Sequence, residues 1–362
     1  MFYPTLKVVS SNCNLRCVYC YYKGIHRKKP IRMNDITLKS IIQKLLALSG
    51  EEKEVHFYWH GGEPLLAGID FYQKIILLEN ELNVYGKKIC NHIQTNATLL
   101  TDNWVDFLVG NDFNVGISLD GPKEIQDVNR PTISGGGSFD SVMKGLKLFQ
   151  EREKFPSIIS VVTNESLGNA NKIFDFFVEN KIKRFLPKDC CERDETGKFL
   201  PFSTTPDEYV DFLIELFECW MSKNDPTIEI RNLYQIIRGV VGGKTTLCEY
   251  SGRCHLFLTI EYDGTIGGCD SFPVKNYPMG NINDSAVSSI FGSHGYKSFL
   301  RDMESTRLDC HHCEWFGNVC GGGCLGHSYS EQNSAWGKNI FCTPKKRLFE
   351  YIKRRVSEIQ NN

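Results

Sequence analysis

Cys13, Cys17 and Cys20 stand in one short stretch, CNLRCVYC, with three residues and then two between them. The stretch follows an apolar run at 6–9. Three thiolates so placed can hold three irons of a cubane cluster and leave the fourth iron open. An open iron can bind a substrate or cofactor, so such a cluster can do chemistry as well as carry electrons. The competing metal is zinc, which normally takes four ligands. No fourth Cys or His lies within the loop, and His26 is six residues past Cys20.

The elements that must position this loop are legible as a repeat. Strand-like segments at 6–10, 55–59, 88–94, 115–119, 158–162 and 183–186 alternate with helical patterns near 36–49, 70–83, 101–110, 138–152, 168–180 and 206–222. Strand-then-helix repetition predicts an α/β fold with a parallel sheet and helices outside it. Six units fall short of an eightfold barrel, so the pattern predicts an open, partial (β/α)6 TIM-like barrel. Chemistry in such folds gathers at the C-terminal ends of strands. There the sequence puts the Cys loop, then His60-Gly61-Gly62-Glu63-Pro64, then Gln94-Thr95-Asn96, then Ser118, Asp120 and Gly121.

After residue 240 the elements shorten and Gly and Cys become dense. Cys248, Cys254, Cys269, Cys310, Cys313, Cys320, Cys324 and Cys342 all fall there. The expected organisation is a barrel over 1–240, a Cys-rich region over 241–342 and a basic amphipathic helix within 343–362. That helix is expected to pack on the protein rather than on a membrane. The boundary is placed near Gly242-Gly243.

Bulk composition excludes other classes. Among 362 residues, 42 Lys and Arg oppose 43 Asp and Glu, so no basic excess argues for nucleic acid. No apolar run approaches the ~18 residues a membrane span needs. The N-terminal stretch lacks the features of a signal peptide. With no export signal, 15 cysteines point to metal ligation in a reducing cytoplasm rather than to disulfides. Cys90 and Cys219 read as core, and Cys190-Cys191 as a substrate-facing loop or as incidental.

The Cys loop, the GGEP turn and the strand-end polar residues together resemble the radical S-adenosylmethionine (SAM) superfamily, over essentially the whole chain. The resemblance implies that the open iron chelates the methionyl amino and carboxylate groups of SAM. An electron then cleaves the sulfonium bond, and the 5′-deoxyadenosyl radical removes hydrogen from an unactivated C–H. It implies that Gly61, Gly62 and Glu63 hold the methionyl amino end and that Ser118 and Asp120 hold the ribose hydroxyls. Arg130 would meet the methionyl carboxylate, and Tyr22 would line the adenine pocket. Taken alone, GGEP and Asp120-Gly121-Pro122 read equally as tight turns. His60 reads equally as a hydrogen-bonded core histidine and is given no catalytic role.

The C-terminal cysteines resemble the SPASM extension of that superfamily. The resemblance implies two auxiliary [4Fe–4S] clusters, three clusters in all. Cys248, Cys254, Cys269 and Cys324 would hold the first, and Cys310, Cys313, Cys320 and Cys342 the second. Six residues separate Cys313 from Cys320, where the usual pattern has five. Two zinc sites are the alternative reading of the same cysteines. In the sulfatase-maturing members an Asp at the place of Asp270 acts as general base. The alternative for Asp270 is a turn residue after a ligand.

Members with this layout act on side chains of a peptide or protein substrate. They imply a low-potential electron donor such as flavodoxin or ferredoxin. Two subgroups compete. The anaerobic sulfatase-maturing type converts Cys or Ser to formylglycine, and it fits the length, the eight-Cys layout, QTNATLL and Cys269-Asp270. Those enzymes usually show Pro-Lys-x-Arg where this chain has Cys324-Leu-Gly-His327-Ser-Tyr329, and their loop differs from FLPKDCCERD. Ribosomal-peptide (RiPP) maturases, which form cross-links or oxidised residues, share a Gly-Gly-Gly…His-x-Tyr segment with Gly321–Tyr329. Many carry a leader-binding domain, for which this chain has no spare ~80–90 residues. The sequence favours the RiPP maturase, with formylglycine formation close behind. A non-catalytic metal scaffold would not need nucleoside-binding groups at strand ends. A small-molecule dehydrogenase using the same radical is not excluded.

Overall fold

A computed structural model of the chain describes residues 3–22, 31–272, 274–284, 286–330 and 335–360. Seven strands lie side by side in chain order: β1 (Tyr3–Lys7), β2 (Glu54–His60), β3 (Lys88–Thr95), β4 (Asn114–Ser118), β5 (Ser157–Val162), β6 (Arg184–Asp189) and β7 (Glu229–Ile230). Every pairing among them is parallel. β8 (Phe257–Glu261) pairs parallel to the free edge of β1, and β9 (Ile266–Gly267) pairs antiparallel to β8. Among the described residues the sheet ends at β7 and β9, so the barrel is open, as the repeat count predicts.

Alternation along the strands separates two faces. On β2, Val55, Phe57 and Trp59 are buried, and the Trp59 ring meets Phe71 and Tyr72 of the helix Ile69–Leu82. Glu54, His56, Tyr58 and His60 therefore point to the opposite, inner face of the sheet. The outer helices begin where local chemistry starts them. Asn34 caps Asp35–Leu48 by accepting from the Thr37 N–H. Thr205 and Glu208 form a capping box around Pro206–Lys223, which opens on a proline.

Three differences from the sequence reading bear on the site. β1 spans Tyr3–Lys7 rather than 6–10, and Val8 and Val9 are buried in the turn that leads into the Cys loop. Second, the sheet does not stop at the expected 242–243 boundary, because β8 and β9 extend it. Their five and two residues carry too little alternation to read as strands. Third, the two-residue β7 and the helix Arg231–Val240 follow the sixth unit. The terminal helix Cys342–Gln360 packs against Pro206–Lys223 and Arg231–Val240, as expected. No described helix is long and apolar enough to cross a membrane.

A polar chain runs under the outer helices. Trp59 Nε1 donates to Asn91 Oδ1 at 2.7 Å, and Asn91 Nδ2 donates to Glu79 Oε2 at 2.9 Å. Glu79 Oε1 is buried without a partner among the described residues. Burial pushes the Glu79 carboxyl from 4.5 up to about 7. The folded state thus holds this proton more tightly than the unfolded chain does. Stability from the protonated form is complete below about pH 4.5 and is lost as pH rises toward 7, by about 3 kcal/mol. Glu79→Gln should therefore gain thermal stability over the parent between pH 5 and pH 8. Melting curves with a parent–variant difference independent of pH would contradict this.

Candidate active site

The Cys loop is clamped from two sides. Glu63 N donates to the Asn12 carbonyl at 2.8 Å. A Cβ on Gly62, at φ 53°, would fall 1.8 Å from that same oxygen, so only glycine allows the approach. On the other side, Arg16 N donates to Pro131 O at 2.8 Å and Val18 N to Asn129 O at 2.9 Å. Beneath the loop, Asp120 Oδ2 accepts from the Tyr19 hydroxyl at 2.6 Å. Asp120 Oδ1 accepts from Arg130 Nη2 and from Val161 N, both at 2.9 Å. This ion pair is buried, at 0% exposure for Asp120 and 8% for Arg130.

The thiols of the loop sit in poor solvent. Burial chiefly, with a smaller push from neighbouring thiols, raises Cys13 to about 12 and Cys17 to about 11. Cys13 Sγ accepts from Leu15 N at 3.4 Å and from Asn96 Nδ2 at 3.7 Å. Thiols that resist ionising one at a time become thiolates when they share a metal. The donors already aimed at Cys13 suit a sulfur that carries negative charge.

The strand-end residues divide into inner supports and open groups. Glu63 is fully buried and accepts from Leu65 N at 3.0 Å, Thr95 Oγ1 at 2.7 Å and Asn96 N at 2.7 Å. Burial pushes its carboxyl up to about 7. The Glu63 side chain thus ties the end of β2 to the end of β3. Asp120 is likewise filled by its own protein, whereas Ser118 is half-buried and accepts from Gln94 Nε2 at 3.0 Å. Arg130 Nε is buried with no partner among the described residues. The Tyr22 ring lies 4.4 Å from Tyr21 and 5.8 Å from Lys7 Nζ.

Sequence reasoning missed Lys7. It is buried at the end of β1, and its Nζ donates to Tyr21 Oη at 2.8 Å and to Asp270 Oδ2 at 3.3 Å. His60 Nδ1 lies 3.3 Å from the same Nζ and accepts from Gly61 N at 2.7 Å. Burial, and then Lys7, lower His60 to about 3, so the ring is neutral. Burial alone would raise the Asp270 carboxyl, but the Lys7 ammonium outweighs it and holds it below its ordinary range. The Asp270 side chain remains about a third exposed. The available signal was a lysine inside the apolar run before the Cys loop.

The later cysteines form two groups. Cys310, Cys313, Cys320 and Cys342 all line one cavity of about 400 Å³, beside Trp315 and Phe349. The residue beyond the usual spacing is taken up in a turn, where Val319 N and Cys320 N both donate to the Trp315 carbonyl. Cys254 is buried and Cys248 and Cys269 are half-buried; loss of water raises each thiol, and nearby Cys324 raises it too. Two thiol sets of four suit iron–sulfur clusters. Cys190 packs on Ser203 and Cys191 on Thr204. Half-buried Cys219 pairs with Asn171. His26 lies outside the described residues.

The segment that favoured a RiPP maturase has structural work to do. A Cβ on Gly321 would lie 1.9 Å from Gly252 N. His327 Nε2 meets Asp189 Oδ2 at 2.8 Å, and the Tyr329 ring packs on Phe272 and Trp336. These contacts join the region after residue 240 to β6 and to itself, so the segment does not discriminate between activities.

Residues 8–177 match the family described as the radical SAM superfamily, and residues 248–314 match SPASM, described as an iron–sulfur cluster-binding domain. The chain is 32% identical to the cysteine-type anaerobic sulfatase-maturating enzyme of Clostridium perfringens (strain 13 / Type A), over 99% of this chain and 98% of that one. The chain belongs to the radical SAM superfamily and carries its SPASM domain. This radical SAM protein is also 28% identical to the serine-type enzyme of Klebsiella aerogenes, over 97% of this chain and 85% of that one. The structure of native anSMEcpe with bound AdoMet and Cp18Cys peptide superposes with a TM-score of 0.89 at 32% identity, over 99% of both chains. Streptococcus suis SuiB bound to precursor peptide SuiA shares the fold, with a TM-score of 0.60 at 19% identity, over 94% of this chain and 76% of that one. The relatives thus favour the sulfatase-maturing reading over the peptide-maturase reading that the sequence put first. The cofactors of this radical SAM enzyme are SAM and iron–sulfur clusters.

Cys17→Ala should abolish reductive cleavage of SAM while leaving about eight irons per chain on the remaining cysteines. 5′-Deoxyadenosine formed at the parent rate would remove Cys17 from the site.

Proposed function

We propose that the chain is an anaerobic sulfatase-maturating enzyme that oxidises a cysteine of a sulfatase-derived peptide to formylglycine. The observation that carries this reading is the match to a cysteine-type enzyme over nearly the full length of both chains. The serine-type relatives align at lower identity, which favours cysteine as the residue modified.

Three cubane clusters are proposed, on Cys13, Cys17 and Cys20, on Cys248, Cys254, Cys269 and Cys324, and on Cys310, Cys313, Cys320 and Cys342. When bound, the first cluster and SAM supply the radical that removes hydrogen from the substrate. The chain's own residues bind and orient. The backbone of Gly61 and Gly62 borders the Cys loop and would receive the methionyl amino end, with Glu63 fixing that turn from behind. The Ser118 hydroxyl keeps its proton to donate to a ribose oxygen, while Asp120 holds the Cys loop and Arg130 in place. Arg130 has a guanidinium nitrogen left to give to a carboxylate, and Tyr22 offers a ring face. Asp270, steadied by Lys7 and partly open to the barrel mouth, would take the proton from the substrate side chain.

The test is a reaction of anaerobically reconstituted protein with SAM, dithionite and a cysteine-bearing sulfatase peptide. The expected product is an aldehyde, captured by a hydrazide and located by mass spectrometry, with the serine peptide slower. A cross-linked or thioether product in its place would restore the peptide-maturase reading. Asp270→Asn should retain 5′-deoxyadenosine formation while product falls by about 10²–10⁴-fold, the usual worth of a general base. Full product yield from that variant would exclude Asp270 as the base.

A further inference from the structure

A second set of metal-binding residue types lies at the other end of the inner sheet face from the Cys loop. Glu54 starts β2 and Cys90 stands near the start of β3, whereas the Cys loop leaves the C-terminal end of β1. The parallel register sets His56 directly beside Cys90 and Tyr58 beside His92. Alternation places Glu54 and His56 on one face of β2, and Cys90 and His92 on the same face of β3. One ligand atom from each of Glu54, His56 and Cys90 lies within 4.8 Å of the other two. Atoms so close, on backbone fixed by ladder hydrogen bonds, can converge on a single ion with bonds of ~2.0–2.3 Å.

The surroundings also have the character of a ligand set. His56 Nε2 is 3.6 Å from Glu54 Oε2, while its Nδ1 is 2.9 Å from His92 Nε2. A histidine that binds metal through one nitrogen has the other held by a second group, which fixes the tautomer. The His92 ring is itself held by stacking on Tyr58 at 4.3 Å. Lys88 Nζ donates to Glu54 Oε1 at 2.7 Å, which leaves Oε2 for an ion. A cavity of about 280 Å³ borders Glu54 and His56. Core packing alone does not account for the set, because His56 and Cys90 are only half-buried.

We propose that Glu54, His56 and Cys90 form a binding site for one divalent ion of the zinc class, with His92 as the outer partner of His56. One thiolate, one imidazole and one carboxylate match zinc chemistry and leave a fourth position for water. A single cysteine cannot hold an iron–sulfur cluster, so the site is distinct from the three cysteine groups. The ion would clip the start of β2 to the start of β3.

The test uses protein whose clusters are already reconstituted, so that the other cysteines are occupied. Zinc chloride is added, free metal is removed by gel filtration, and zinc and iron are counted by elemental analysis. One zinc per chain is expected in the parent and none in His56→Gln/Cys90→Ala, with iron and 5′-deoxyadenosine formation unchanged. His92→Gln should keep the site but bind about 10–100-fold more weakly. Zinc-edge X-ray absorption of the parent keeps the question decidable should the double variant misfold. One sulfur among nitrogen and oxygen neighbours supports the site, and an all-sulfur or sulfur-free shell overturns it. Equal zinc in parent and double variant, or none in the parent, overturns it as well.

Discussion

The pairing of β8 along β1 is the constraint on which the rest depends. Five residue pairs, from Tyr3 with Phe257 to Lys7 with Glu261, join the opening of the chain to a strand about 250 positions later. Without that ladder, Asp270 would not lie within reach of Lys7, from which 263 positions of sequence separate it. The same ladder seats the first auxiliary cysteine group against the barrel. One parallel pairing thus decides whether the Cys loop and the candidate base share a barrel mouth.

Buried charges secure the junctions that the sheet alone leaves loose. Lys7 with Asp270 joins β1 to the turn after β9. Asp120 with Arg130 and Tyr19 fixes the floor of the Cys loop. Asp189 with His327, and Glu249 with Lys345, tie β6 and the terminal helix to the cysteine-rich region. Buried pairs of this kind add little net stability, since desolvation offsets the attraction. Losing one partner is costly, however, and each pair therefore rejects arrangements in which its junction is misaligned. Precise placement of the loop is what the proposed chemistry requires, because reacting groups must meet at contact range.

Much of this was legible in the chain. Alternation is strong in 54–60 and 88–95, so those strands read within a residue or two of their true ends. The Cys loop and the strand-end turns fell where a parallel barrel gathers chemistry. What stayed hidden depended on contacts between distant segments. Glu63 and Asp120 are as buried as the core, and only three-dimensional structure shows their oxygens filled by neighbouring backbone and side chains. β8 and β9 are too short to declare themselves. Gly321, His327 and Tyr329 looked like the signature of one subgroup, yet each also answers to a local packing need, and the full-length relatives favour the other subgroup. Lys7 was hidden because its partners, Tyr21, His60 and Asp270, lie 14, 53 and 263 positions away.

The place of β1 in the sheet also has a consequence for biosynthesis. Its two neighbours are β2, made soon after it, and β8, made some 250 residues later. During translation, one edge of β1 must wait unpaired for some 250 residues, next to a loop of three thiols. An open edge invites association with other strands, so a nascent chain would need that edge shielded, by a chaperone or by its own emerging helices. Asp270 reaches the mouth only once β8 and β9 have docked. A chain not yet made as far as β9 that met iron and SAM would lack the proposed base, and the order of synthesis itself would delay substrate turnover until that segment has docked.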